Sequence, residues 1–208
     1  MATQPPLERP PTQNQLATAL PGPAVYVTAH AENGTAVIQS RRPVAWATYD
    51  EGEMQMAIAW TTDTFPANLS DDKDIVSHDA RMAKGTGATG LVVRGGTVLR
   101  YVDFAPGYAC MMHRTVSVDY GIVLEGTVVS ELDSGETVTL GRGDSMVQRA
   151  TMHAWRNPSK TEWARMVFCL QHCETPRNKD GQALQEDLGR GTPGIPASGN
   201  DTEVAGDK

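Results

Sequence analysis

The 208-residue chain is short of cysteine, of positive charge, of aromatic residues and of long apolar runs, and each shortage excludes something. Cys110, Cys169 and Cys173 are an odd number and too few for a disulfide framework, which points to a reducing compartment, where the Asn68-Leu69-Ser70 sequon stays unglycosylated. Eighteen Lys+Arg stand against 25 Asp+Glu, a formal net charge of −7 at pH 7. A face that neutralises phosphates is therefore excluded, and nucleic acid with it. No stretch approaches the roughly 20 apolar residues that span a bilayer, and Met1 to Gln15 offers neither a basic nor an apolar leader segment. The expectation is a cytoplasmic, soluble protein with no membrane partner. Aromatics reach only 6% and hydrophobic residues 39%, enough for one globular core and not two.

What is present is mostly period-two alternation broken by Gly, Pro, Asn and Asp, the pattern of antiparallel strands and tight turns. Residues 1–23 carry Pro5, Pro6, Pro10, Pro11, Pro21 and Pro23 and read as a disordered Pro-rich arm. Residues 24–90 read as a β-rich extension with strands at Ala24 to His30, Thr35 to Ser40, Val44 to Tyr49 and Met54 to Thr62, and a short helix within Asp71 to Lys84. Residues 91–175 continue the alternation through Leu91 to Val93, Thr97 to Phe104, Ala109 to Val118, Ile122 to Leu132, Glu136 to Leu140, Ser145 to Gln148 and Ala164 to Leu170. So many short strands at this spacing predict an all-β sandwich or barrel. Residues 176–208, rich in Gly, Asp, Glu and Pro, read as a mobile acidic tail.

Three local motifs carry little. Gly85-Thr86-Gly87-Ala88-Thr89-Gly90 spells a dinucleotide fingerprint, but a strand follows it where a helix is required. Arg142-Gly143-Asp144 reads as a hairpin turn, and Cys169-Leu170-Gln171-His172-Cys173 lacks the second ligand pair of a structural zinc site. The informative stretch is Gly107 to Asn157. On an extended strand His113, Thr115, Ser117 and Asp119 share parity, which sets imidazole, hydroxyl and carboxylate on one face. His153 comes from another strand and meets them only if the sheets close around a common cavity.

In these residues the chain resembles a cupin. The first cupin motif reads G-x5-H-x-H-x3-4-E-x6-G, and here Gly107, His113, Thr115, Asp119 and Gly126 keep every interval while replacing two of the letters. The second, G-x5-P-x-G-x2-H-x3-N, is echoed from Gly143 to His153 and Asn157, with Gln148 and Ala150 in place of Pro and Gly and one interval a residue short. The block His113-Arg114-Thr115, Asp119-Tyr120 and His153-Ala154-Trp155-Arg156-Asn157 is similar to small cupins described as oxidoreductases or tailoring proteins beside microbial polyketide synthases. The resemblance implies a cupin-type jelly-roll barrel over 91–175. The extension is then expected to wrap that barrel or to pair with a second copy as a homodimer.

In cupins the positions matching His113, Thr115, Asp119 and His153 usually hold one divalent metal. Threonine is a poor ligand beside imidazole, and aspartate is a methylene shorter than glutamate. Two imidazoles and one carboxylate remain, the composition of the facial triad of non-haem Fe(II) enzymes. Two readings follow from this set. In one, His113, Asp119 and His153 ligate a divalent ion (Fe, Zn or Mn), Thr115 steadies the site, and the chain is a tailoring oxidoreductase. In the other no metal takes part; a histidine moves a proton, Asp119 orients it or acts as base, and the reaction is a dehydration, decarboxylation, isomerisation or aromatisation. A non-catalytic cupin that only binds its ligand is the remaining alternative. The ligand expected is a small, partly apolar, oxygenated metabolite, with methionines lining the cavity and Trp155 walling it. Arg100 reads as a surface ion-pair residue, with a carboxylate or phenolate of the ligand as the alternative partner.

Overall fold

A computed structural model of the chain describes residues 22–85 and 89–200. The N-terminal arm up to residue 21, the centre of the glycine loop at 86–88 and residues 201–208 lie outside the described residues. Eleven strands and one helix follow in order: β1 (Ala24–His30), β2 (Ala36–Pro43), β3 (Trp46–Tyr49), β4 (Met54–Thr61), α1 (Lys73–Met82), β5 (Thr97–Phe104), β6 (Ser117–Glu125), β7 (Thr127–Leu132), β8 (Thr137–Gly141), β9 (Ser145–Arg149), β10 (His153–Arg156) and β11 (Ala164–His172). The described helix α1 is too short to cross a membrane.

Two antiparallel sheets face each other. The larger has the order β3-β4-β5-β11-β6-β9 and the smaller β10-β7-β8. Alternation assigns the inner faces: Val98, Val102 and Phe104 of β5, Met166, Phe168 and Leu170 of β11, and Val123 of β6 meet Val128, Leu140 and Trp155 of the small sheet in one buried core. Two glycines fit this packing to the backbone. At Gly121 an added Cβ would sit 2.7 Å from the Phe168 ring. Gly126, at φ +78° in the turn from β6 to β7, has the Trp163 carbonyl 2.8 Å from where a Cβ would stand, so the last glycine of the first motif is a turn residue.

Strands β3 and β4 belong to the larger sheet, so the barrel begins well before residue 91. Only the β1–β2 hairpin and α1 remain as additions. A second cluster of Val44, Trp46, Ala57 and Ala59 lies on the outer face of the large sheet, and Val25 of β1 packs against it. Helix α1 buries Ile75 and His78, spaced as one helical face, and the His78 ring stacks on Trp60 at 4.3 Å.

Two further stretches differ from the alternation reading. Leu91 to Val93 is buried loop, and Ala109 to Val116 is irregular chain with isolated bridges at Ala109, His113 and Arg114. The 176–200 segment, expected to be mobile, runs back over the barrel. Its Asp187 forms an antiparallel bridge with Arg114 (N–H to O, 2.7 and 3.0 Å), Leu188 and Ile195 pack on the core, and Arg190 lies 3.6 Å from Asp50.

Candidate active site

The cavity between the sheets is lined by His113, Thr115, Asp119, His153 and Trp155, with Met56, Val102, Phe104, Met111 and Phe168 among its apolar walls. The cavity volume is about 70 Å³. Thr192 and Ile195 of the returning C-terminal segment complete the lining, so this segment roofs the cavity.

The two histidines are positioned by the backbone. His113 and His153 form a hydrogen-bonded antiparallel pair, each N–H donating to the other's carbonyl at 2.8 and 2.9 Å, and such a pair puts both side chains on one face. Their rings stand 4.3 Å apart at 46°. Each ring is oriented the same way: His113 Nδ1 lies 2.9 Å from the Met111 carbonyl and His153 Nδ1 2.9 Å from the Thr151 carbonyl. A carbonyl only accepts, so Nδ1 carries the hydrogen in both rings and the lone pair is on Nε2. Burial lowers the pKa of both. His153, 2% exposed, is pushed down to about 3 by burial and then by its neighbour His113; His113 is lowered by burial and by the Arg100 charge, with the Met111 carbonyl acting in opposition. Both imidazoles are neutral at pH 7.

Asp119 projects inward from β6 and is 4% exposed. The Ser117 hydroxyl donates to Oδ1 at 2.5 Å, and the Thr115 hydroxyl stands 2.8 Å from Ser117 Oγ and 3.4 Å from Asp119 Oδ2. Burial raises the Asp119 pKa to about 6, against the lowering effect of these hydroxyls and of Arg100. The group therefore exchanges a proton close to neutral pH.

The four residues singled out from the sequence, His113, Thr115, Asp119 and His153, thus line one cavity although the chain bends between His113 and β6. For a metal the fit is incomplete. The imidazole pair is arranged as ligands usually are, with Nδ1 tied to a carbonyl. Yet among the described residues no three His, Cys, Asp or Glu side chains come close enough to share an ion, and both Asp119 oxygens are engaged by hydroxyls. His113, Asp119 and His153 share the cavity without forming a three-ligand set.

Arg100 departs from its reading as a surface residue. It is 4% exposed and lines the cavity from the middle of β5, opposite Phe168 and Ile58. The signal was its parity, since Val98, Arg100, Val102 and Phe104 alternate on one face. The second motif's Asn157 is structural: 1% exposed, its Nδ2 lies 3.1 Å from the Phe104 carbonyl and 2.8 Å from that of Glu162. Ala150, where the motif has glycine, adopts φ +49°.

Comparison with known proteins identifies the family. Residues 100–169 match the cupin domain family. The chain is 39% identical over 166 residues to oryzines biosynthesis cluster protein J of Aspergillus oryzae, covering 79% of this chain and 90% of that protein. It is 38% identical over 151 residues to the cupin-domain-containing oxidoreductase fogC of Aspergillus ruber, 71% of each. Among solved structures, KdgF from Halomonas sp. is 18% identical with a TM-score of 0.40, over 65% of this chain and 89% of that one. With its domain match on the barrel strands and relatives of this identity along most of its length, the chain belongs to the cupin superfamily, among the cupin-domain proteins of secondary-metabolite biosynthesis clusters.

Proposed function

We propose that the protein is a small-molecule tailoring enzyme of such a pathway and that its cavity performs general acid–base chemistry on an oxygenated, partly apolar metabolite. One observation carries this reading: two neutral imidazoles with unprotonated Nε2 atoms share a largely apolar cavity with a buried acid whose pKa is about 6. A proton taken by either ring repels a second from its neighbour 4.3 Å away, so the pair works as a one-proton acceptor. Both rings are held alike by backbone carbonyls, so either can be the base, and loss of one breaks the pair. Asp119, protonated in part of the population near neutrality, delivers a proton to a departing hydroxyl or a developing enolate oxygen. Ser117 and Thr115 hold it in place. Dehydration, enolisation and aromatisation are the reactions this set serves.

Oxidoreductase activity is the second reading, supported by the name of the Aspergillus ruber relative and by the free Nε2 pair. The test follows α-proton exchange of β-hydroxy ketones in D2O by NMR, before and after dialysis against a chelator, with metal content measured in parallel. Exchange that survives dialysis and is lost in His113→Ala and Asp119→Asn is the expected result. Activity that disappears with a stoichiometric metal would replace the acid–base reading by the second one. Full activity in both variants and in His153→Ala would remove the catalytic assignment altogether.

A further inference from the structure

Arg100 is a buried cation that no carboxylate touches among the described residues. Its Nη2 donates to the carbonyls of Gly90 (3.0 Å) and Leu91 (2.8 Å), its Nη1 reaches only the Met56 sulfur at 3.7 Å, and its Nε has no partner. No acid lies within ion-pair distance among the described residues. Asp119, the one acid among the described residues lining the cavity, acts on Arg100 through its charge at a distance, while its oxygens are bonded to Ser117 and Thr115. A full charge held out of water with no acid in contact is costly, and a fold keeps one where something else can meet it directly with the opposite charge. The side chain lines the cavity and is electrostatically coupled to both His113 and Asp119.

We infer that the ligand of this cavity is an organic anion, a ring-sized molecule bearing a carboxylate or phenolate oxygen, and that the Arg100 guanidinium is the group that pairs with it. The inference rests on the tailoring reading for the cavity but not on the reaction assigned to it. The three polar elements then divide the work: Arg100 fixes the anionic end, the apolar walls take the ring, and the imidazole pair with Asp119 faces the remainder. Neutral analogues of the same shape leave the guanidinium unpaired and are discriminated against for that reason.

The test is calorimetric binding of benzoate, 4-nitrophenolate and the neutral isostere benzamide to the full chain. The expected result is at least a tenfold preference for one anion over benzamide, and the better anion tells carboxylate from phenolate. Arg100→Met should bring the preference close to one, and Arg100→Lys should retain part of it. If Arg100→Met does not fold, the wild type carries the test: the better anion must shift the Arg100 Nε–H resonance in 15N NMR, and benzamide must not. Equal affinity for anions and benzamide, no anion binding, or a preference that persists in Arg100→Met overturns the inference. His113→Ala separates the two proposals, since it should abolish proton exchange and keep the anion preference.

Discussion

Two arginines stand on opposite faces of the same sheet, and only one of them touches an acid. Arg165, on the outer face of β11, is 2% exposed and meets Asp103 directly across the ladder, with Nε to Oδ1 at 2.5 Å and Nη2 to Oδ2 at 2.7 Å. Trp46 and Trp163 flank its guanidinium at 5.1 and 5.5 Å. Arg100, equally buried on the inner face of β5, has two carbonyls and an idle Nε. The outer pair is complete and has nothing left to offer, which is what a structural ion pair requires. The inner arginine is incomplete in the folded chain, and its side chain lines the cavity.

The largest effect that would test this contrast is in stability. Asp103→Ala strands Arg165 and should cost about 3 to 5 kcal/mol in urea denaturation. Arg100→Met removes a charge that no acid touches, so its cost should stay near about 1 kcal/mol, the worth of the carbonyl hydrogen bonds. Equal losses in the two variants would break the comparison.

Next comes the pH dependence of the inner face. Unfolded histidine takes up its proton near pH 6.5, whereas His153 holds out to about 3, so the unfolded state binds more protons in between and stability falls as the pH drops through that window. His153→Gln removes the loss and should gain roughly 2 to 3 kcal/mol on the wild type between pH 6.5 and 4.5, at about 1.4 kcal/mol per unit. Asp119 has the opposite sign. Its folded pKa of about 6 lies above the unfolded value of 3.8, so the native state binds the proton first and stability falls as the pH rises from 3.8 to 6. Asp119→Asn should therefore lose ground to the wild type on acidification, by roughly 2 kcal/mol. Parallel slopes in the two variants would mean that these groups are not buried as described.

A smaller change sharpens the account of the acid. Ser117→Ala removes the 2.5 Å hydrogen bond to Asp119 and should raise its pKa by about one unit, read from the carboxyl carbon shift in an NMR titration. The smallest effect is the calibration. Ala150→Gly relieves a left-handed backbone and should add roughly 0.5 to 1 kcal/mol, with no change in ligand binding.

Much of the fold and site was legible in the sequence, for identifiable reasons. Strict alternation located β1, β4, β5 and β11 almost to the residue, and motif spacing brought His113, Asp119 and His153 to one cavity. Parity also held for Thr115 and Ser117, because the irregular chain ahead of β6 keeps its side chains on the inner face. Arg100 was misread because charge was weighed above parity. The last segment was misread because composition averages over residues: its order comes from one backbone bridge at Asp187 and three side chains, Leu188, Thr192 and Ile195, too few to tip a window of Gly, Pro and Asp. The relation of Asp119 to the imidazole pair was not legible at all, since hydroxyl partners depend on rotamers and not on spacing.

The chain that closes over the cavity has one more consequence. Thr192 and Ile195 line the cavity only while the strip that carries them stays down, and the Asp187–Arg114 bridge pins it there. A guest that leans on those two side chains adds to the hold on the strip, so filling the cavity should slow hydrogen exchange at the Asp187 amide.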